Sequence, residues 1–327
     1  MSTDDDTLSH LPAYADHPIS DEMKALVNQI IDLLDGHGPM VGELLSEWLS
    51  GVAPIELWRA CYVSRKIRIR NCARYYLRYD IKRDNALRLS PSILRDFLTF
   101  SLIYLPDQAV PAVEAGTLLA NKFRSISLRK LSRARRALLE LSPDLQAELN
   151  AHCVVFLSGD IAYFLAHDTQ RRHPTLDVPV NGSDIDIVIV ANNQADPDKM
   201  AAIEAQLLKI KRLYLLMPQV REELDFIVKP IDRMLEQLTY KDIHQKIASK
   251  ILYESYFLMG RVDIYESLMK ALEVSGTRGR IEADFETALI ERQQTIRKIL
   301  SLPAVDSVKD SEVASLFFAS QERLEFQ

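Results

Sequence analysis

Apolar residues recur at three- and four-residue spacing from Asp21 to about Asn150, as at Leu26, Ile30, Leu33 and Leu34, which predicts helices over this stretch. Turn signals divide it at Gly36-His37-Gly38-Pro39, Ser90-Pro91, Leu105-Pro106-Asp107 and Ser142-Pro143-Asp144. In the last of these Ser142 suits an N-cap and Pro143 the first helical position. Beyond His152 the period changes. Val154-Val155-Phe156-Leu157 reads as a short buried strand, followed by Ser158-Gly159-Asp160 and a helical run from Ile161 to His167. A polar connection over residues 168–181 leads to Ile185-Asp186-Ile187-Val188-Ile189-Val190, a second apolar strand. Asp196-Pro197-Asp198 opens a helix carrying Leu207, Ile210 and Leu213, and Leu224-Asp225-Phe226-Ile227-Val228 reads as a third strand before Lys229-Pro230. From Ile231 onward the pattern is helical, broken at Gly260, Ser275-Gly276 and Leu302-Pro303. The expected fold class is therefore α/β of the α+β kind: an acidic tail over 1–20, a helical region over 21–150, a small mixed-sheet core over 151–235 and a helical region over 236–327.

Composition narrows this picture without redirecting it. The 327 residues are 47% hydrophobic and 26% charged, a mix that suits a soluble globular chain with a sizeable core. The acidic opening Asp4-Asp5-Asp6 has none of the basic-then-apolar order of a secretion signal, and the apolar patch around Leu98 to Leu105 is too short for a membrane span. Cys61, Cys72 and Cys153 are scattered, so neither a disulfide framework nor a zinc site is expected, and the setting reads as cytoplasmic. His37, His152, His167, His173 and His244 are too dispersed for a metal site. Esterase, zinc-peptidase and Walker-type phosphate motifs do not occur.

The candidate chemistry lies in the second and third strands. Side chains alternate along a strand, so Asp184 and Asp186 project from one face while Ile185, Ile187 and Ile189 take the other. Two anions held together on a buried strand repel and are costly to desolvate unless a cation lies between them. Mg2+ prefers such oxygens and shares its shell with substrate phosphates. The plainer alternative is a strand that ends in solvent. Asp225, isolated among Leu224, Phe226, Ile227 and Val228, would complete a three-carboxylate cluster if its strand lay beside the first, an arrangement suited to two-metal displacement at phosphorus.

Leu157-Ser158-Gly159-Asp160, Ser183-Asp184-Ile185-Asp186 and Asp225 together resemble the nucleotidyltransferases of the DNA polymerase beta superfamily. Lys250 with Gly260-Arg261-Val262-Asp263-Ile264-Tyr265 adds a weaker likeness to abortive-infection (AbiE-type) toxin nucleotidyltransferases, enzymes of toxin–antitoxin and phage-defence systems. The resemblance implies a nucleotidyltransferase core that moves a nucleoside monophosphate from an NTP such as ATP to a hydroxyl, releasing pyrophosphate. It implies Asp184 and Asp186 as ligands of both Mg2+ (or Mn2+) ions and Asp225 as third ligand or base. Ser158, Gly159, Ser183 and Lys250 would be nucleotide-binding. Two features depart from the family pattern: the turn runs Ser-Gly and is followed by Asp160, itself readable as a first-turn helix acid, and the connection before the carboxylate strand is long and carries Arg171-Arg172-His173. That connection reads either as a surface loop or as a segment reaching over bound nucleotide.

Basic residues form two groups. Lys66, Arg70, Arg74 and Arg78 fall four apart and would make one ridge on a helix, with Tyr62, Tyr75, Tyr76 and Tyr79 interleaved. Lys122, Arg124, Arg129, Lys130, Arg133, Arg135 and Arg136 form the second. They read equally as an RNA-binding footprint or as arginines and lysines salt-bridged to the acidic remainder. Lys246, Lys250 and Glu254 share another helix face, expected to meet solvent or phosphate. Three acceptors are open, an RNA end, a protein side chain or a small molecule, as is a catalytically silent fold of the same type that binds nucleic acid or a protein partner.

Overall fold

The computed structural model describes residues 20–80, 86–173, 175–302 and 317. The tail expected over 1–20 lies almost wholly outside them. The described residues form two compact units, one from 20–76, 88–121, 288–302 and 317, the other from 77–80, 86–87, 122–173 and 175–287. Neither follows the consecutive blocks expected above, because each gathers its core from separated segments.

In the first unit β1 (Met40–Val41) and β2 (Arg68–Asn71) flank a later strand, Ser101–Tyr104, in an antiparallel sheet. The helices Asp21–His37 and Pro54–Val63 place Ile30, Leu34, Leu57 and Trp58 in its core. Two further strands precede the Ser101–Tyr104 strand, which is β5: β3 (Tyr76–Asp80), all but Tyr76 in the second unit, and β4 (Ala86–Ser90), whose first two residues also belong to the second unit. The expectation of helix throughout 21–150 is thus corrected. Short alternating stretches such as Arg68-Ile69-Arg70-Asn71, and the aromatic-rich Tyr76-Leu77-Arg78-Tyr79, fit a pleated surface better than a helix. The cationic ridge disappears with the helix. Arg70 lies on β2, Arg78 on β3, and Lys66 and Arg74 in the segments around them.

The second unit is built on a mixed four-stranded sheet. Its strands are β6 (Cys153–Ser158), β9 (Ile185–Ala191), β10 (Leu224–Pro230) and β11 (Tyr256–Gly260), in the order β10-β9-β6-β11, while β7 (Gln170–Arg172) and β8 (Pro179–Asn181) pair apart from it. Strands β9 and β10 run parallel; β6 is antiparallel to β9 and β11 to β6. All of β6 is buried, and Ile185, Ile187 and Ile189 join Val155, Leu157 and the Ile203, Leu207 and Ile210 face of helix Pro197–Leu216 in one core. The apolar parity of β9 is therefore as its sequence alternation requires. Two local expectations change. The run Ile161 to His167 forms a single 3-10 turn at Gly159–Ile161 and then irregular backbone, and the sheet gains β11, an apolar run too short to separate from its helical neighbours by period.

Candidate functional site

The pairing registers assemble the site. On β9 and β10 Asp186 stands opposite Asp225, and on the other side Ser158 stands opposite Asp186, so three residues from three strands lie abreast at one end of the sheet. Asp184 lies two residues before Asp186, at the mouth of β9. The chain reaches this point through Gly182, whose φ is +57°. A Cβ there would meet the carbonyl oxygen of His167 at 1.9 Å, so only glycine allows the close approach. Ser183 is fully employed in the same corner: its hydroxyl donates to Asp160 at 2.6 Å and accepts from the His167 amide at 3.2 Å. Ser183 and Asp160 thus tie the turn to the carboxylate strand, the first a place where nucleotide contact was expected.

Electrostatics binds the acids into one group. Burial pushes the Asp186 carboxyl up to about 7, and Asp184, Asp225 and Asp160 push the same way while Arg78 opposes them. Asp184 is raised to about 6, chiefly by burial, with Arg171 opposing and Glu223 and Asp225 adding to the rise. Arg171 accounts for this opposition: its guanidinium donates to Asp184 and, at 2.7 Å, to Glu223. Lys211, from helix Pro197–Leu216, pairs with Asp225. The Asp186 carboxylate has no ion pair or hydrogen bond among the described residues.

The phosphate side of the site is also internally satisfied. Gly159, with φ +71°, turns its amide to Glu254 Oε1 at 3.2 Å, and Glu254 in turn pairs with Lys250 at 2.7 Å. Both side chains are buried, so Lys250 does not lie on the solvent-facing stripe expected for its helix. Burial lowers the Lys250 pKa, Glu254 opposes that shift, and Asp186 lies near enough to act in the same sense as Glu254. Lys246 is equally engaged, bonded to Asp284 at 3.2 Å. Gly159 packs directly on Asp186: a Cβ at this position would stand 2.8 Å from Asp186 Oδ2. Gly159→Ala is accordingly expected to destabilise the fold by about 1–2 kcal/mol, from the left-handed φ and the carboxylate contact together. Urea unfolding measures this, and a loss below a few tenths would mean that the turn relaxes freely.

The remaining expectations fare unequally. The connection over 168–181 contains a small hairpin, with Arg171 opposite Val180, in place of an irregular loop. Arg261 and Asp263 pair with one another, and the Arg261 amide bonds to the Cys153 carbonyl at the far end of β6, so this toxin-like segment lies away from the carboxylates. In the second basic group Lys130 is fully buried against Glu222, Arg133 pairs with the same acid, and Arg129 bonds to Asp168. Salt bridges thus engage all three, and burial takes Lys130 out of any surface, while Arg129 and Arg133 keep 45% and 25% of their side chains exposed. Sequence reading passed over Arg78, Lys211, Glu223 and Glu254 as site residues. Glu223 was the most accessible, since it sits two residues before Asp225, as Asp184 does before Asp186.

The donor set suits a hard divalent cation in kind: three carboxylates on or at the mouth of adjoining strands, one of which, Asp186, has no ion-paired or hydrogen-bonded side chain among the described residues. In the conformation described, Asp184 and Asp225 instead face Arg171 and Lys211, and no group of three His, Cys, Asp or Glu residues among the described residues is arranged to hold a metal ion. Metal binding would require those two cations to give way. Among the described residues no helix is long and apolar enough to cross a membrane. No protein-family model, curated protein or solved structure matches the chain.

Proposed function

We propose that the chain is a divalent-metal-dependent nucleotidyltransferase that moves a nucleoside monophosphate from an NTP to a hydroxyl acceptor with release of pyrophosphate. The observation that carries this reading is the parallel register of β9 and β10, which sets Asp225 opposite Asp186 beside the Gly159 turn. In this reading Asp184, Asp186 and Asp225 would hold Mg2+, which supplies Lewis-acid stabilisation of charge on the reacting phosphoryl group. Asp225, the most exposed of the three and free to exchange Lys211, accepts the proton of the acceptor hydroxyl. The Ser158 hydroxyl and the Gly159 amide orient the phosphates once Glu254 releases that amide, and Lys250 and Arg78 provide the positive field.

The self-neutralised state of the site favours a second reading, a catalytically silent fold in which Arg171, Lys211 and Glu254 hold the corner together as structure. Incubation with labelled NTPs, Mg2+ or Mn2+, and separate pools of RNA, protein and small molecules distinguishes the two. The expected result is one labelled acceptor class with wild type and none with Asp184→Asn. No labelled product under any metal would overturn the enzyme and leave the silent fold.

A further inference from the structure

We propose that Arg171 is a built-in competitor for the metal position at Asp184, so that divalent-ion binding and triphosphate binding become coupled through its release; this rests on the metal-site reading above. Arg171 sits on β7, in the middle of a hairpin whose base is fixed from three sides. The Asn181 amide bonds to Arg221 O at 2.8 Å, the Asn181 side chain to Val220 O at 2.9 Å, and Lys130 donates to Asn181 O at 2.7 Å. The hairpin thus delivers the guanidinium to a defined place. There one nitrogen serves two carboxylates, Asp184 and Glu223, with the Arg171 side chain only 11% exposed and that of Asp184 37% exposed.

This sharing makes the contact exchangeable. An ion that takes Asp184 leaves Arg171 still bound to Glu223, so no buried charge is stranded, and the N–H that had served Asp184 can turn to a phosphate. Among the described residues no second acid holds Lys211 at Asp225, and both side chains of this pair are partly exposed, so it offers weaker competition. Two consequences follow. Metal alone binds less well than the carboxylates would allow, and a triphosphate, by giving the displaced Arg171 an anion, strengthens metal binding; by reciprocity the metal strengthens triphosphate binding.

Calorimetric titration of the full chain with Mn2+ tests this without reference to turnover, using wild type, Arg171→Lys, Arg171→Gln and Asp184→Asn. Affinity should rise from wild type through R171K, whose shorter side chain keeps the charge but reaches Asp184 and Glu223 less well, to R171Q at about tenfold over wild type. D184N should bind weakest. A non-hydrolysable triphosphate should tighten Mn2+ binding several-fold in wild type and much less in R171Q. Equal Mn2+ affinity in wild type, R171K and R171Q, with D184N weakened, would overturn the role of Arg171 while leaving the metal site intact. Absence of Mn2+ binding in all four proteins would overturn the metal-site reading and this inference together. Circular dichroism confirms the fold of each variant, and R171K against wild type remains decisive if R171Q is unstable.

Discussion

If the proposed transferase reading holds, Asp186→Asn is expected to lower nucleotidyl transfer roughly a thousandfold and, in the same protein, to raise stability in metal-free buffer at pH 8. The two effects share one cause. The wild-type carboxyl is raised from 3.8 to about 7 by burial and by Asp184 and Asp225, so the folded protein binds its proton more tightly than the unfolded chain does. A group with a raised folded pKa contributes stability that is fully present below the unfolded value and is lost as pH climbs through the folded one. In chelator, wild type should therefore lose stability between pH 4 and pH 7 and level off above, whereas D186N lacks this component. Allowing for the partial exposure of the site, the gain in D186N at pH 8 is about 2 kcal/mol. Thermal denaturation of both proteins at pH 5 and pH 8, alongside the labelled-NTP assay, measures it. Parallel pH dependence in the two proteins would mean that Asp186 carries no excess charge in the fold.

The legible part of this chain was the part governed by period two. The alternation through Asp184, Ile185, Asp186, Ile187 and Ile189 determined both which residues enter the core and which face the site, and the structure follows it. The isolated acid in Leu224-Asp225-Phe226 marked the neighbouring strand for the same reason. What the sequence concealed depended on partners far apart in the chain. Lys211 looks like any outward lysine on its helix, and only the packing of that helix on the sheet brings it to Asp225. Glu254 caps a helix locally, yet its carboxylate meets the amide of Gly159, 95 positions away. The arginine ridge failed differently. Four-residue spacing is informative only on a helix, and residues 66–78 form strands and turns, where Arg70 and Arg78 have no common face to share.

Lys130→Met is expected to cost about 3–5 kcal/mol, the largest stability loss of any single substitution proposed for this chain. Lys130 belongs to the basic stretch that reads equally as an RNA surface or as salt-bridged residues, but its side chain is fully buried. Its ammonium contacts Glu222 and donates to the carbonyls of Asn181, at 2.7 Å, and Ser183, at 2.8 Å. Burial lowers its pKa, and the acids Asp168 and Asp184 resist that shift. Methionine fills nearly the same volume and removes all three interactions, leaving the buried Glu222 with Arg133 alone and two carbonyls without their donor. Replacing Glu222 as well, in a Lys130→Met, Glu222→Leu double variant, should restore at least about 2 kcal/mol, because the stranded charge rather than the missing lysine dominates the loss. Urea unfolding of the two singles and the double closes this cycle. Since Ser183 immediately precedes Asp184, the same substitution loosens the peptide that aims the first carboxylate, and Mn2+ affinity should fall in K130M and return only in part in the double variant. A K130M protein that loses less than about 1 kcal/mol would show that Arg133 alone suffices to hold Glu222, and that the corner bearing Asp184 is fixed by the Gly182 turn instead.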